Sequence, residues 1–176
     1  SSLPIFAPVD GFTPEEQGKF MAEVAQFIRE RDDDAVIVLP GMSGISAYIL
    51  ETWLPGVITG GGSDFFDIVN YHFYDSSDIF VERRAVLDTT LKTLKLDDKP
   101  VWLTETGVSS DPTLKNRTDY PNSITEQAAD VFRRVIPAFS AGDKRVYWHT
   151  HLSSSDDGST SDWRSYGLRT SKGDTK

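Results

Sequence analysis

Phe20, Val24, Phe27 and Ile28 recur at helical spacing through "FTPEEQGKFMAEVAQFIRERDDD", giving one apolar face. Thr13 fits the N-cap of this helix, Pro14 its first position, and Glu16 the far corner of a capping box. The period then changes. "AVIVLP" (35–40) is an unbroken β-branched run stopped by Pro40-Gly41, which predicts a strand buried on both faces.

The alternation repeats down the chain. A helical stretch around 45–54 leads through "GVITGGGSD" to a strand "FFDIVNYHFY" (65–74). A helix over about 78–95 carries Ile79, Val86, Leu87, Leu91 and Leu94 on one side, and "PVWLTE" (100–105) reads as the next strand. After a polar loop at 109–122, Ser123 or Thr125 starts a helix with Val131, Phe132 and Val135 inward and Gly142 at its end; "RVYWHTH" (145–151) is the fourth strand.

Strands alternating with helices predict parallel βαβ units. Two clues favour a barrel over a doubly wound sheet. The long polar segments, 109–122 and 153–165, follow strand ends, where barrel loops build sites, and the reactive side chains stand at strand carboxyl ends. "PGMSG" and "GGGSD" are poor matches to the phosphate-binding turn of a doubly wound fold. A full (β/α)₈ barrel needs about 250 residues, whereas the chain has 176 and four strand–helix units. The expected architecture is therefore α/β, with 1–176 as the C-terminal part of a single (β/α)₈ catalytic domain supplying strands 5–8. Such a half-barrel exposes strand edges and apolar surface, so an N-terminal half-barrel, on this or another chain, is an expected partner.

Composition narrows the function classes. Eighteen basic against 27 acidic residues give a net charge of −9, with no basic cluster, which disfavours nucleic acid and anionic membrane surfaces. No apolar run approaches the roughly 18 residues that span a bilayer. The absence of cysteine excludes disulfides and thiol chemistry and leaves the compartment open. Asn116-Arg117-Thr118 matches a glycosylation acceptor, a pattern frequent by chance. "GMSGI" lacks the second glycine of a nucleophile elbow. His149 and His151 can share a strand face but have no carboxylates at ligand spacing, and "DDGSTSD" (156–162) lacks the closing glutamate of a calcium loop, so no metal or cofactor is expected.

Side chains two apart on a strand share a face. Glu105 then sits with Leu103 and Val101, Tyr74 with His72 and Asn70, and Trp148 with Val146. If these faces point inward, Glu105, Tyr74, His72 and Trp148 converge on one mouth.

In this order the strands resemble those of clan A glycoside hydrolases, family 39-like or family 5-like. "KPVWLTETG" (99–107) is similar to their seventh strand, whose glutamate is the nucleophile. "DIVNYHFY" is similar to the sixth with its His-x-Tyr pair, and "VYWHTH" to the eighth with its tryptophan. The segment before "PG" and the tail "SYGLRTSKG" also resemble their counterparts. The resemblance implies a retaining glycosidase acting on a poly- or oligosaccharide. Glu105 would attack the anomeric carbon, Tyr74 would hydrogen-bond that carboxylate, and His72 would line the same wall. Trp148 would stack on the sugar, and Asn70 and His149 would border the substrate. Trp163 and Tyr166 either touch sugar or pack the last loop. The family's Asn-Glu acid/base pair has no counterpart here, and the acid/base is expected upstream of residue 1. Asp64 and Asp67 lie at the wrong strand end, Glu51 in a helix, and Asp75 in a loop. A secreted or periplasmic location is the expectation. The rival reading is a non-catalytic carbohydrate-binding barrel module or pseudoenzyme.

Overall fold

The computed structural model describes residues 11–111, 123–153 and 165–174. They form helix α1 (Pro14–Arg29), a π-helical turn (Ile49–Trp53) running into α2 (Leu54–Gly61), strand β1 (Val69–Phe73), a 3₁₀ turn (Ser77–Ile79) leading into α3 (Phe80–Thr93), strand β2 (Val101–Thr106), helix α4 (Ile124–Ser140) and strand β3 (Arg145–Trp148). The strands make one parallel sheet in the order β1-β2-β3. The chain falls into two compact units, Ser1–His72 with Glu82–Trp102, and Phe73–Val81 with Leu103–Lys176.

In the first unit α1 begins as its sequence dictates. The Thr13 hydroxyl accepts from Glu16 N–H, the Glu16 carboxylate accepts from Thr13 N–H at 2.7 Å, and Pro14 occupies the first turn. The backbone bond from Thr13 is the chief cause holding the Glu16 carboxyl below its ordinary range. What α1 packs against is less obvious. Its buried residues are Gly18 and Ala25, whereas Phe20 is 61% exposed and Val24, Phe27 and Ile28 are exposed too. Glycines set this contact: a Cβ on Gly18 would lie 2.1 Å from the Val57 carbonyl oxygen, and one on Gly60 1.9 Å from that of Glu15. The "GVITGG" stretch, read as the passage from a helix at 45–54 to the next strand, is itself helical, and its glycines serve close packing. The outward apolar face of α1 lines a groove of about 660 Å³ with Phe12, Ile37 and Met42.

The expected strand at 35–40 is reduced to isolated parallel bridges, Val38 with Ile68 and Met42 with Tyr71. Leu39 N–H bonds the Ile68 carbonyl and His72 N–H that of Met42, so the segment lies along β1. It is not buried on both faces: Leu39 is buried, while Val36 is exposed. A carboxylate secures its start, for Asp67 accepts from Ile37 N–H at 2.7 Å and pairs with Arg29 at 2.9 Å. The core of this unit is Leu39, Leu54, Val57, Phe66, Tyr71, Leu87 and Leu91.

In the second unit, Ser123 caps α4 through Glu126 N–H, and Gly142 turns the chain beyond it at φ +94°, as its position after the periodic stretch implies. The face that α4 buries corrects the sequence reading. Gln127, Asp130, Arg134 and Ala138 point inward, while Phe132 is 66% exposed and Ile136 and Phe139 are exposed. Polar groups win the inner face because the strand ends and loops beneath it present carbonyl oxygens that need donors.

Candidate active site

β1 and β2 end side by side, and both candidate groups sit at those ends. Tyr74 follows the last residue of β1, and Glu105 is the penultimate residue of β2. The Tyr74 hydroxyl donates to Glu105 Oε2 at 3.0 Å. The phenol is pushed far above its ordinary range, first by burial, then by the negative charge of Glu105 and by that hydrogen bond. At any working pH Tyr74 is therefore a neutral donor, able to fix the carboxylate's orientation.

Two further rings stand beside Tyr74. The Tyr74 ring stands edge-on to Tyr166, centroids 6.0 Å apart, and to His149 at 6.3 Å; His149 and Tyr166 are 6.3 Å apart. Trp148 is tied into the same wall, its indole N–H donating to the Tyr166 carbonyl at 3.1 Å. The backbone after β3 is drawn over β2, with His149 N–H bonding the Thr106 carbonyl at 2.8 Å. Gly107 makes room for it: a Cβ there would stand 2.5 Å from the His149 carbonyl oxygen and 3.0 Å from the Tyr166 ring. The tail is laid down in parallel alongside, Leu168 N–H bonding Thr150 and Arg169 N–H bonding His151.

From behind, α4 supports this wall. Gln127 Nε2 donates to the carbonyls of Val108 (2.7 Å), Ser165 (3.1 Å) and Tyr166 (3.2 Å). Arg134 and Asp130 form a fully buried pair beneath the two strand ends.

The structure thus brings Glu105, Tyr74, His149 and Trp148 into one unit with Tyr166. His72 and Asn70 belong to the other unit. There the His72 imidazole lies against Gly41, whose added Cβ would sit 2.2 Å from Nε2, and the Asn70 carbonyl accepts from Met42 N–H. Trp163 lies outside the described residues, as do the glycosylation tripeptide and the serine-rich 156–162 stretch. Sequence reasoning did not single out Gln127, Asp130 or Arg134. Their signal was present as polar residues three and four apart through an otherwise apolar helix. Among the described residues no group of three or more His, Asp or Glu could hold a metal ion. None of the described helices is long and apolar enough to cross a membrane.

No family model and no curated protein matches this sequence. Solved structures do match in fold. A family 39 glycoside hydrolase from Bacteroides cellulosilyticus WH2 superposes with a TM-score of 0.65 at 19% identity, over 90% of this chain and 34% of its own. A glucosidase from Croceicoccus marinus gives 0.68 at 16%, over 93% and 34%. A family 51 α-L-arabinofuranosidase from Bifidobacterium longum gives 0.64 at 15%, over 86% and 38%. The chain therefore spans little more than a third of the length of these three. The resemblance its strand motifs imply is matched in three dimensions: the chain has an α/β fold similar to that of TIM-barrel glycoside hydrolases.

Proposed function

We propose that this chain is the C-terminal part of a single (β/α)₈ catalytic domain, a retaining glycosidase acting on a poly- or oligosaccharide with Glu105 as nucleophile. The observation that carries the reading is the 3.0 Å hydrogen bond from Tyr74 to Glu105 at the ends of adjacent parallel strands, in a fold shared with glycosidases. Glu105 attacks the anomeric carbon, expelling the leaving group and forming a glycosyl ester that water then hydrolyses. Tyr74 holds the attacking carboxylate in line. Trp148 offers its face to the sugar's C–H bonds, a contact worth about 0.5–1.5 kcal/mol by analogy with aromatic pairs. His149 borders the sugar.

Retention requires a second carboxyl about 5 Å from the first, protonated to assist departure. We assign it to a glutamate on an N-terminal half-barrel, the partner that the outward apolar groove beside α1 fits. The proposed location is secreted or periplasmic.

The test uses the full-length protein against a panel of 4-nitrophenyl glycosides. Glu105→Ala is expected to lower turnover by more than about a thousandfold with an unchanged melting curve. A folded Glu105→Ala protein that turns over normally removes the nucleophile assignment. Binding of oligosaccharide with no hydrolysis by the unaltered protein supports the binding-module reading instead.

A further inference from the structure

We infer that Arg134, held by Asp130, is a positioning residue for Tyr74 and Glu105: one guanidinium on α4 pins the ends of both strands that carry the pair. The inference rests on the reading of Glu105 as nucleophile.

The guanidinium is completely buried and Asp130 all but so. Its Nε–H donates to Asp130, one turn earlier on the same helix. The remaining nitrogens leave α4. Nη1 donates to the Phe73 carbonyl at 3.1 Å and to Thr106 Oγ1 at 3.3 Å, and Nη2 to the Asp75 carbonyl at 2.8 Å. The Thr106 hydroxyl itself donates to the Phe73 carbonyl at 2.7 Å. Asp130 completes the bracket by accepting from the Ser77 hydroxyl.

These contacts have a pattern. Phe73 and Asp75 are the two residues flanking Tyr74, and Thr106 directly follows Glu105. Every point that Arg134 grips outside α4 is thus one residue from a member of the pair, on the backbone or on the opposite strand face. A strand-end carbonyl past its last ladder bond needs a donor, and an apolar residue at 134 would supply none. A lysine could reach one acceptor but not three, because only the planar fork spans them. A buried ion pair is a costly way to pack a helix, and well-packed apolar residues commonly serve as well or better. Here the pair also fixes the separation and angle of two side chains whose 3.0 Å contact orients the attacking oxygen. Misplacing a reacting group by about 1 Å costs on the order of a hundredfold in rate.

The experiment uses the full-length protein and 4-nitrophenyl glycosides. Arg134→Met alone strands a buried Asp130 and risks unfolding, so the pair is removed together as Asp130→Leu/Arg134→Met, beside the conservative Arg134→Lys. The double variant is expected to lose about a hundredfold in kcat with KM within about threefold, and Arg134→Lys about tenfold. Adding Tyr74→Phe should cost much less in the double variant than in the parent, since both act on one carboxylate. A cooperatively folded double variant with parental kcat, or strictly additive losses, overturns the proposal. Should Glu105→Ala retain turnover, the nucleophile reading fails, and positioning is then decided by the ¹³Cζ resonance of Tyr74. That resonance should shift in the double variant in the direction that Glu105→Ala shifts it. An unmoved resonance means Arg134 packs the helix and nothing more.

Discussion

Asp67 shows how single residues set this fold's response to acid. Burial raises its carboxyl, but the Ile37 N–H and the Arg29 guanidinium outweigh that and leave it below the ordinary range. A depressed folded value stabilises the protein in full above the unfolded value, near pH 4, and the contribution fades as pH falls through the folded one. Asp67→Asn is therefore expected to lower the melting temperature by a constant amount above about pH 5. The gap to the parent should narrow steadily below about pH 4, read by thermal melts across that range. A gap independent of pH would mean that folding does not depress the Asp67 carboxyl. At this scale the site was partly legible. Glu105 and Tyr74 could be paired from strand alternation because each lies at the end of its own apolar run. Tyr166 and Gln127 could not, because their partners are carbonyls and rings brought in from remote segments, and no local period encodes those.

Among the elements, helix periodicity located α1, α3 and α4 well, and the Thr13 and Ser123 caps fell where their side-chain chemistry puts them. Which face would be buried did not follow. An amphipathic pattern says that an apolar face wants cover, and says nothing of whether glycines or polar brackets will claim the inner side. α1 and α2 meet through Gly18 and Gly60. Gly60→Ala is expected to destabilise the protein by about 1–3 kcal/mol, because backbone at 1.9 Å cannot yield as a flexible side chain would. Gly44→Ala, whose Cβ meets nothing within 4 Å, should stay within about 0.5 kcal/mol. Urea unfolding of the two variants makes the comparison, and equal values would deny that the helices touch through glycine. The segment at 35–40 failed as a strand for a related reason: hydrophobic content does not create a ladder, and its one bridge among the described residues, from Val38, runs to Ile68 just before β1.

At the scale of the whole molecule, the exposed stripe of Phe20, Val24 and Phe27 on α1 carries the half-barrel proposal to a measurement. If a further half-barrel covers it, Phe20→Asp should lower the stability of the full-length protein by about 2–4 kcal/mol. The same change in residues 1–176 alone should be near neutral, as for an exposed position. Equal effects in both would leave the groove uncovered. The path of the chain between its two units bears on more than folding. Residues 73–81 belong with 103–176, so the backbone passes from one unit to the other at 72–73, 81–82 and 102–103, twice inside a strand. No single cut in the gene separates the two. A break anywhere from 72 to 103 splits β1, β2 or the residues linking them, so neither unit can be cut out of the gene as one uninterrupted piece.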